Sequence, residues 1–447
     1  MGLDYFFEVF KKNSKKNFIV WEDKFFDYLW LINQIKKWEH ILDDNKINQG
    51  KIVVVEADFS PNSIALLLAL IHARTIIVPI SHSVKAKKYE FIEISESEFI
   101  IQIDQDDDFS IRKLENKVNH HLYKILISNS DPGLVLFSSG STGKSKASLH
   151  NLKYLLEKFE VRRHTLRTIT FLLYDHIGGF NTLFYNLSNA GLIVTANDRS
   201  PKAVLQKIEK YEVELLPTSP TFLNLILLSE EYKNYNLSSL KIITYGTEPM
   251  PQTTLNSIIK IFPEVKCTQT YGLSEVGILR SKSKDSNSLW VKVGGEGYKT
   301  RINDGMLEIK SKSSMLGYLN AEDPFTADGW FKTGDAVEVD GEYIKIIGRK
   351  SELINVGGEK VYPQEVENLL LEHSNVKDVT VFSEKNPIIG NIVCAKIVLK
   401  NKKVNKNNMI KDIKDFCHEK IARYKVPVKI TFIEESLYSL RFKKNRV

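Results

Sequence analysis

Three patterns along the 447-residue chain predict an α/β protein: a large N-terminal domain of stacked βαβ sheets with a small β subdomain, followed by a small C-terminal α/β domain. From about Lys51 to Gly272, short β-branched runs alternate with helix-length segments. Between Leu289 and Gly348 the chain turns to short strands and tight turns, and after Gly348 a new α/β unit begins. Alternation of the first kind marks stacked, largely parallel sheets. The length also exceeds the roughly 250 to 300 residues at which a single core stops growing.

The elements follow in order. KIVVVE at 51–56 reads as a strand, the apolar SIALLLALIHA at 63–73 as a core helix, and TIIVPI at 75–80 as the next strand. FIIQI, LVLFSS, TITFLLY, GLIVTA, VELLPT, KIITYG and VKCTQTYG are the later strand candidates. In the small β subdomain, AVEVDGEYIKII reads as a hairpin with Asp340-Gly341 at its turn. Beyond it a helix starts at Pro363, then come the strands VKDVTVFS and NIVCAKIVLK, a lysine-rich helix near Met409 to Ile421, and the strand VKITFI. The expected division is residues 1–347, a connector at 348–351, and residues 352–447.

Composition narrows the classes. The longest apolar run, Ile64 to Ile71, falls far short of the roughly 18 residues of a membrane span. The N-terminus carries Asp4 and Glu8 in its apolar stretch and has no signal-peptide pattern, so a cytoplasmic location is expected. Three widely spaced cysteines, Cys267, Cys394 and Cys417, suit packing in a reducing compartment and fit neither a disulfide framework nor a zinc site. From Gly348 onward there are 20 Lys and Arg against 12 Asp and Glu, so the positive charge is concentrated in the last hundred residues. That surface suits an acidic or phosphate-rich partner, or is simply a solvated lysine-rich face. Nothing in the chain supplies a base-stacking motif, so nucleic-acid binding is not expected.

The strand LVLFSS runs into SGSTGKSK, which is expected to lead into a helix. Ser138, Ser139, Gly140, Ser141, Thr142, Gly143 and Lys146 thus form a phosphate-cradle candidate rich in small residues, hydroxyls and cations. A Walker A loop needs glycine where Ser138 stands, which argues against a P-loop NTPase.

With SSGSTGKSK in view, the chain resembles the acyl-adenylating superfamily of acyl-CoA synthetases, peptide-synthetase adenylation domains and luciferases. The other motifs follow in the family's order: GTEPM from Gly246, YGLSE from Tyr271, MLEIKSKSSMLGY from Met306, WFKTGD from Trp330 and GRKSELINVGG from Gly348. The resemblance implies ATP and Mg2+ as cofactors. It implies adenine against Tyr271, Gly272 and the Gly246, Thr247, Glu248 turn, and Mg2+ at Glu275. It also implies an α-phosphate contact from Ser274, in place of the usual threonine, and ribose contacts from Asp335 and Arg349. His176, Ile177 and Gly179 would line the acyl pocket, with His176 beside the reacting acid. Ser351 would be the hinge of a mobile C-terminal domain, Gly357 and Gly358 would line a thiol tunnel, and Lys443 would be the catalytic lysine, with Lys444 one position away.

The implied activity is conversion of a carboxylic acid to acyl-AMP with release of pyrophosphate. Acyl transfer to coenzyme A, or to the phosphopantetheine of an acyl or aryl carrier protein, would follow. Ile177 stands where amino-acid-activating relatives keep an aspartate, so an aryl or fatty acid is the expected substrate, with Asp175 two positions off. The alternatives are amino-acid adenylation for carrier loading, and a catalytically silent homologue acting as a binding partner.

Overall fold

The computed structural model describes residues 3–139, 145–387, 390–434 and 437, and in it the alternating stretch becomes two seven-stranded sheets. The first orders Lys266–Gln269, Ile242–Tyr245, Leu215–Thr218, Thr168–Thr170, Ile193–Thr195, Asn17–Trp21 and Lys24–Asp27, parallel throughout except for the last pair. The second orders Gly317–Tyr318, Ser145–Asn151, Gly133–Ser139, Ile76–Ile80, Ile52–Glu56, Phe99–Ile103 and Phe109–Lys113. Its four central strands are parallel and its edges antiparallel. One continuous core joins Ile19 and Ile193 of the first sheet to Val53 and Ile77 of the second through the helix Pro61–His72. Every residue of that helix from Pro61 to Ile71 is buried, as an all-round apolar sequence requires. Ser60 and Ser63 close its N-terminus with a capping box.

The β-rich stretch forms a six-stranded antiparallel sheet, Arg280–Ser283, Val291–Gly294, Tyr343–Arg349, Phe331–Asp340, Met306–Ser311 and Tyr298–Asn303. Asp340 pairs with Tyr343, so the hairpin turns on Gly341 and Glu342, one residue later than expected, with Gly341 at φ +60°. The C-terminal unit is a five-stranded sheet flanked by the helices Pro363–Leu370 and Lys406–His418, with its own core of Val366, Val379, Ile397 and Ile413. The cysteines are buried free thiols.

Two expectations need correction. The phosphate-loop candidate does not lead into a helix: Ser145–Asn151 is a strand antiparallel to Gly133–Ser139, with Ser139 opposite Ser145, and the helix Leu152–Glu157 begins only afterwards. Ala147 and Leu149 on that strand pack into the second sheet's core, which favours pairing over helix. The candidate loop therefore connects two antiparallel strands and has no helix terminus directly after it. The first fifty residues, read only for targeting signals, also carry structure. The helix Asp4–Lys12, the strand Asn17–Trp21 beside Ile193–Thr195, and the helix Tyr28–Asp44 complete the first sheet and its cover.

The loops that follow the central strands of both sheets are tied together. Arg199 Nη1 and Nη2 each donate at 2.9 Å to one oxygen of Asp58, and its Nε donates to the Phe171 carbonyl. This two-pronged pair fixes the relative height of the two strand ends. Nearby, the first turn of the helix Ile177–Ser188 approaches the preceding chain so closely that a Cβ on Gly179 would lie 2.0 Å from the Leu173 carbonyl oxygen. Because the obstacle is backbone, Gly179→Ala must displace the helix start. It is expected to cost about 2 to 3 kcal/mol, and an unaltered urea-unfolding midpoint would show that the contact is not rigid.

Candidate functional site

The centre of the site is Asp335. Only 4% exposed, it lies on Phe331–Asp340, opposite Arg349 across the ladder. Its Oδ2 accepts the Tyr271 hydroxyl at 2.5 Å and its Oδ1 accepts Arg349 Nε at 3.1 Å. The Thr333 hydroxyl accepts the Asp335 amide, which fixes the turn that Gly334 makes at φ +74°. Burial and the facing carboxylate hold the Tyr271 phenol far above its usual range, so it remains a donor. Two of the carboxylate's roughly four acceptor directions are thereby used, and two remain for a diol.

A second carboxylate sits on the small hairpin of Gly272–Leu273 and Gly277–Ile278. Glu275 is half-buried and its Oε1 accepts the Tyr318 hydroxyl at 2.6 Å, which leaves Oε2 for another partner. Lys146 Nζ lies 5.2 Å from the Tyr318 ring centroid and pairs with Ser138 across the phosphate-loop hairpin. Tyr318, the last residue of the MLEIKSKSSMLGY motif, thus links the cation of that hairpin to Glu275, a role the motif did not assign to it. Ser274, half-buried, precedes Glu275. Ser139 contributes described backbone only, and Gly140, Ser141, Thr142 and Gly143 lie outside the described residues.

Gly246 is dictated by packing, since a Cβ there would meet Thr270 Oγ1 at 2.5 Å, and Thr247 takes a left-handed φ of +73°. Glu248 turns its carboxylate away, accepting the Thr221 amide at 2.7 Å in the first turn of the helix Pro220–Ser229. A carboxylate there complements the helix dipole, so the Gly246–Glu248 turn offers a ligand mainly its backbone. Gly272 is equally constrained, with Ile278 Cδ1 2.5 Å from a Cβ built on it.

His176 is the N-cap of Ile177–Ser188, its Nδ1 accepting the Gly178 amide at 3.1 Å. Ile177 is 3% exposed and belongs to the core, and Gly179 serves helix packing. Asp175 is 5% exposed and its Oδ2 accepts both the amide and the hydroxyl of Ser81, so this carboxylate is engaged within the protein.

At the start of the C-terminal unit, Ser351 is exposed in the short turn Lys350–Glu352. Gly357 and Gly358, at φ +61° and +96°, form the two-residue turn between Ile354–Val356 and Glu359–Val361, with open space where a Cβ would stand. Lys443 and Lys444 lie outside the described residues. Sequence reading also missed His150, on the strand leaving the phosphate loop. The imidazole is fully buried and neither ring nitrogen makes a well-formed hydrogen bond among the described residues, although the backbones of Ser274 and Ser313 face it. Burial pushes its pKa down to about 4.

With this geometry in place, comparison with known proteins is specific. The model of the AMP-binding enzyme family matches residues 6–295, and that of the AMP-binding enzyme C-terminal domain matches 365–440. The indoleacetate–CoA ligase of Aromatoleum aromaticum is 28% identical over 332 residues, 68% of this chain and 64% of that protein. The mouse mitochondrial medium-chain acyl-CoA ligase ACSF2 is 27% identical over 340 residues, 68% of this chain and 54% of that one. The alignments thus span between about half and two thirds of these relatives' lengths. Among solved structures, the anthranilate CoA ligase AuaEII with anthranoyl-AMP superposes with a TM-score of 0.83 at 19% identity, covering 100% of this chain and 95% of that one. The o-succinylbenzoate CoA synthetase of Bacillus subtilis with its acyl-adenylate gives 0.76 at 20% identity, over 99% and 97%. At such identities the superpositions establish the fold, a large sheet domain followed by a small C-terminal one.

The buried His150 generates a pH prediction. Its ordinary pKa is 6.5, so as pH falls from there to about 4 the unfolded chain binds a proton that the folded chain excludes. Stability is therefore lost on acidification, by up to about 3 kcal/mol from this group. His150→Leu should lose less than the wild type between pH 7.5 and 5 in urea unfolding, and parallel curves would refute the assignment.

Proposed function

Since the chain belongs to the AMP-binding enzyme family, we propose that it is an AMP-forming acid–thiol ligase. The observation that carries this reading is the convergence of segments far apart in sequence: Tyr271, Asp335 and Arg349 form one hydrogen-bonded group, and Lys146, Glu275 and Tyr318 form another.

In this reading Asp335 accepts the ribose hydroxyls with its remaining lone pairs, while Tyr271 and Arg349 hold its orientation. Adenine lies against Tyr271, Gly272 and the Gly246–Glu248 turn. Residues 138–146 hold the β- and γ-phosphates, and Ser274 donates to the α-phosphate. Glu275 suits Mg2+, because a hard cation takes one or two carboxylates and completes its shell with phosphate oxygens. When bound, the cation would neutralise phosphate charge. Tyr318 keeps the Glu275 carboxylate aimed. A carboxylate oxygen of the acid attacks the α-phosphorus, the bond to the bridging oxygen breaks, and pyrophosphate leaves with its charge opposed by Lys146 and Lys443. His176 borders the acid. A thiol then adds to the acyl carbonyl and AMP departs. For that step residues 352–447 turn about 348–351, with Ser351 as hinge, and bring Gly357 and Gly358 to the pantetheine path.

Coenzyme A is the favoured acceptor, because the relatives are named as CoA ligases; a carrier-protein pantetheine is the alternative. The engaged state of Asp175 supports an aryl or fatty acid over an amino acid. No helix among the described residues is long and apolar enough to cross a membrane, and a cytoplasmic location fits the reduced cysteines.

A screen of fatty, aryl and amino acids should reveal acid-dependent exchange of labelled pyrophosphate into ATP, with AMP as the final nucleotide. ADP formation, or ATP binding with no acid driving exchange, would contradict the ligase. Lys443→Ala should lower adenylation about 100- to 1000-fold, the usual effect of removing one preorganised donor. Thioester formation from supplied acyl-adenylate should change only a few-fold. The same defect in Lys444→Ala instead would move the catalytic role to that residue.

A further inference from the structure

Lys158 stands out among the cations not used above. It bridges the helix Ile177–Ser188 and the hairpin that carries Glu275, its Nζ donating to Asn181 Oδ1 at 2.5 Å and to the Ile278 carbonyl at 3.0 Å. The side chain is half-buried, with its Nζ 5.0 Å from the centroid of the Phe159 ring. Along the helix, Gly178 is buried, while Asn181, Thr182 and Tyr185 form a less buried stripe that includes the Asn181 partner of Lys158.

The electrostatics here are one-sided. The charged groups acting on Lys158 are Arg163 and Arg280, both cationic, and together with burial they push its pKa down to about 7. Neighbouring carboxylates are engaged elsewhere: Glu157 accepts Lys312 Nζ at 2.8 Å, and Glu296 lies 3.9 Å from the outer Arg280. An ammonium that donates to two neutral acceptors, Asn181 Oδ1 and the Ile278 carbonyl, beside two guanidinium groups is costly without an anion. Two donors are used and a third remains.

We propose that the less buried helix face beside Lys158 receives a second carboxylate of the acid substrate, so that the preferred substrates are dicarboxylic acids activated at the end remote from Lys158. The inference deepens the ligase reading and rests on it. Asn181 lies five residues beyond His176, about 7.5 Å along the helix axis, which suits a short or aromatic spacer between the two carboxylates. Lys158 then sets specificity by charge-assisted pairing, with Arg163 and Arg280 drawing the anion in.

The test is pyrophosphate exchange with matched pairs, hexanoate against adipate and benzoate against terephthalate, using the full chain and Lys158→Met. The wild type should favour the diacid of at least one pair in kcat/KM, and Lys158→Met should reduce that diacid-to-monoacid ratio about 10- to 100-fold, as expected for a lost charged hydrogen bond. For the wild type, the diacid KM should also climb between pH 7 and 8.5 as the free enzyme's Lys158 loses its proton, while the monoacid KM does not follow. A wild type that prefers the monoacid in both pairs, an unmoved ratio in the variant, or a flat diacid profile would each overturn the proposal. Exchange with monoacids alone would leave the ligase standing while removing this inference, whereas silence with every acid would remove both.

Discussion

The site depends on one buried charge. Asp335 is almost wholly withdrawn from water, and an isolated carboxylate in that position would be far too costly to keep ionised. Its compensation comes from two directions: the Tyr271 hydroxyl, at the end of the first sheet's edge, and the Arg349 guanidinium, on the strand that leaves for the C-terminal unit. Three segments are thereby held in register by a single side chain. Anything that binds the remaining faces of this carboxylate enters an arrangement already oriented, which is how preorganised electrostatics saves reorganisation.

The parallel core was legible because its strands are dense in Ile and Val and its central helix is apolar on every side; both properties are local. What was not legible depended on distance. Asn17–Trp21 earns its place only by pairing with Ile193–Thr195, a partner more than 170 positions away, and its flanking sequence resembles any surface hairpin. Likewise, SKASLHN carries no strong strand signal, and it becomes a strand because Ser139 and Ser145 face each other across the phosphate loop. The expectation of a helix there followed from how phosphate loops are often built, and the tertiary pairing overrides it.

The candidate site divides in the same way. Tyr271, Glu275, Asp335 and Arg349 could be found from motif order, because their chemistry is carried by residue type. His150 and Lys158 could not, and Tyr318 lay within a motif without an assigned role, since a tyrosine, a histidine and a lysine at those positions gain their properties only from burial and from the groups that enclose them. The structure also shows which motif residues serve packing. Gly179 and Gly246 exist to admit a neighbouring carbonyl or threonine, and Glu248 caps a helix, so in these places the motif shapes the walls of the site and leaves direct contact to others.

Arg349 connects these points to the motion expected of the C-terminal unit. It is half exposed, lies one residue after Gly348, and a Cβ on Gly348 would meet the Tyr362 ring at 2.9 Å. The strand end therefore touches the Asp335 carboxylate through Arg349 and the C-terminal unit through Tyr362 at once. A turn about residues 348–351 would change the Tyr362 contact and could draw Arg349 away from Asp335. The carboxylate would then keep only the Tyr271 hydroxyl as compensation, an unfavourable state unless ribose hydroxyls had taken the vacated directions. In the proposed ligase, rotation would be easiest with nucleotide in place, and the buried carboxylate that organises the site would also discourage an empty enzyme from turning to the proposed thiol-accepting arrangement.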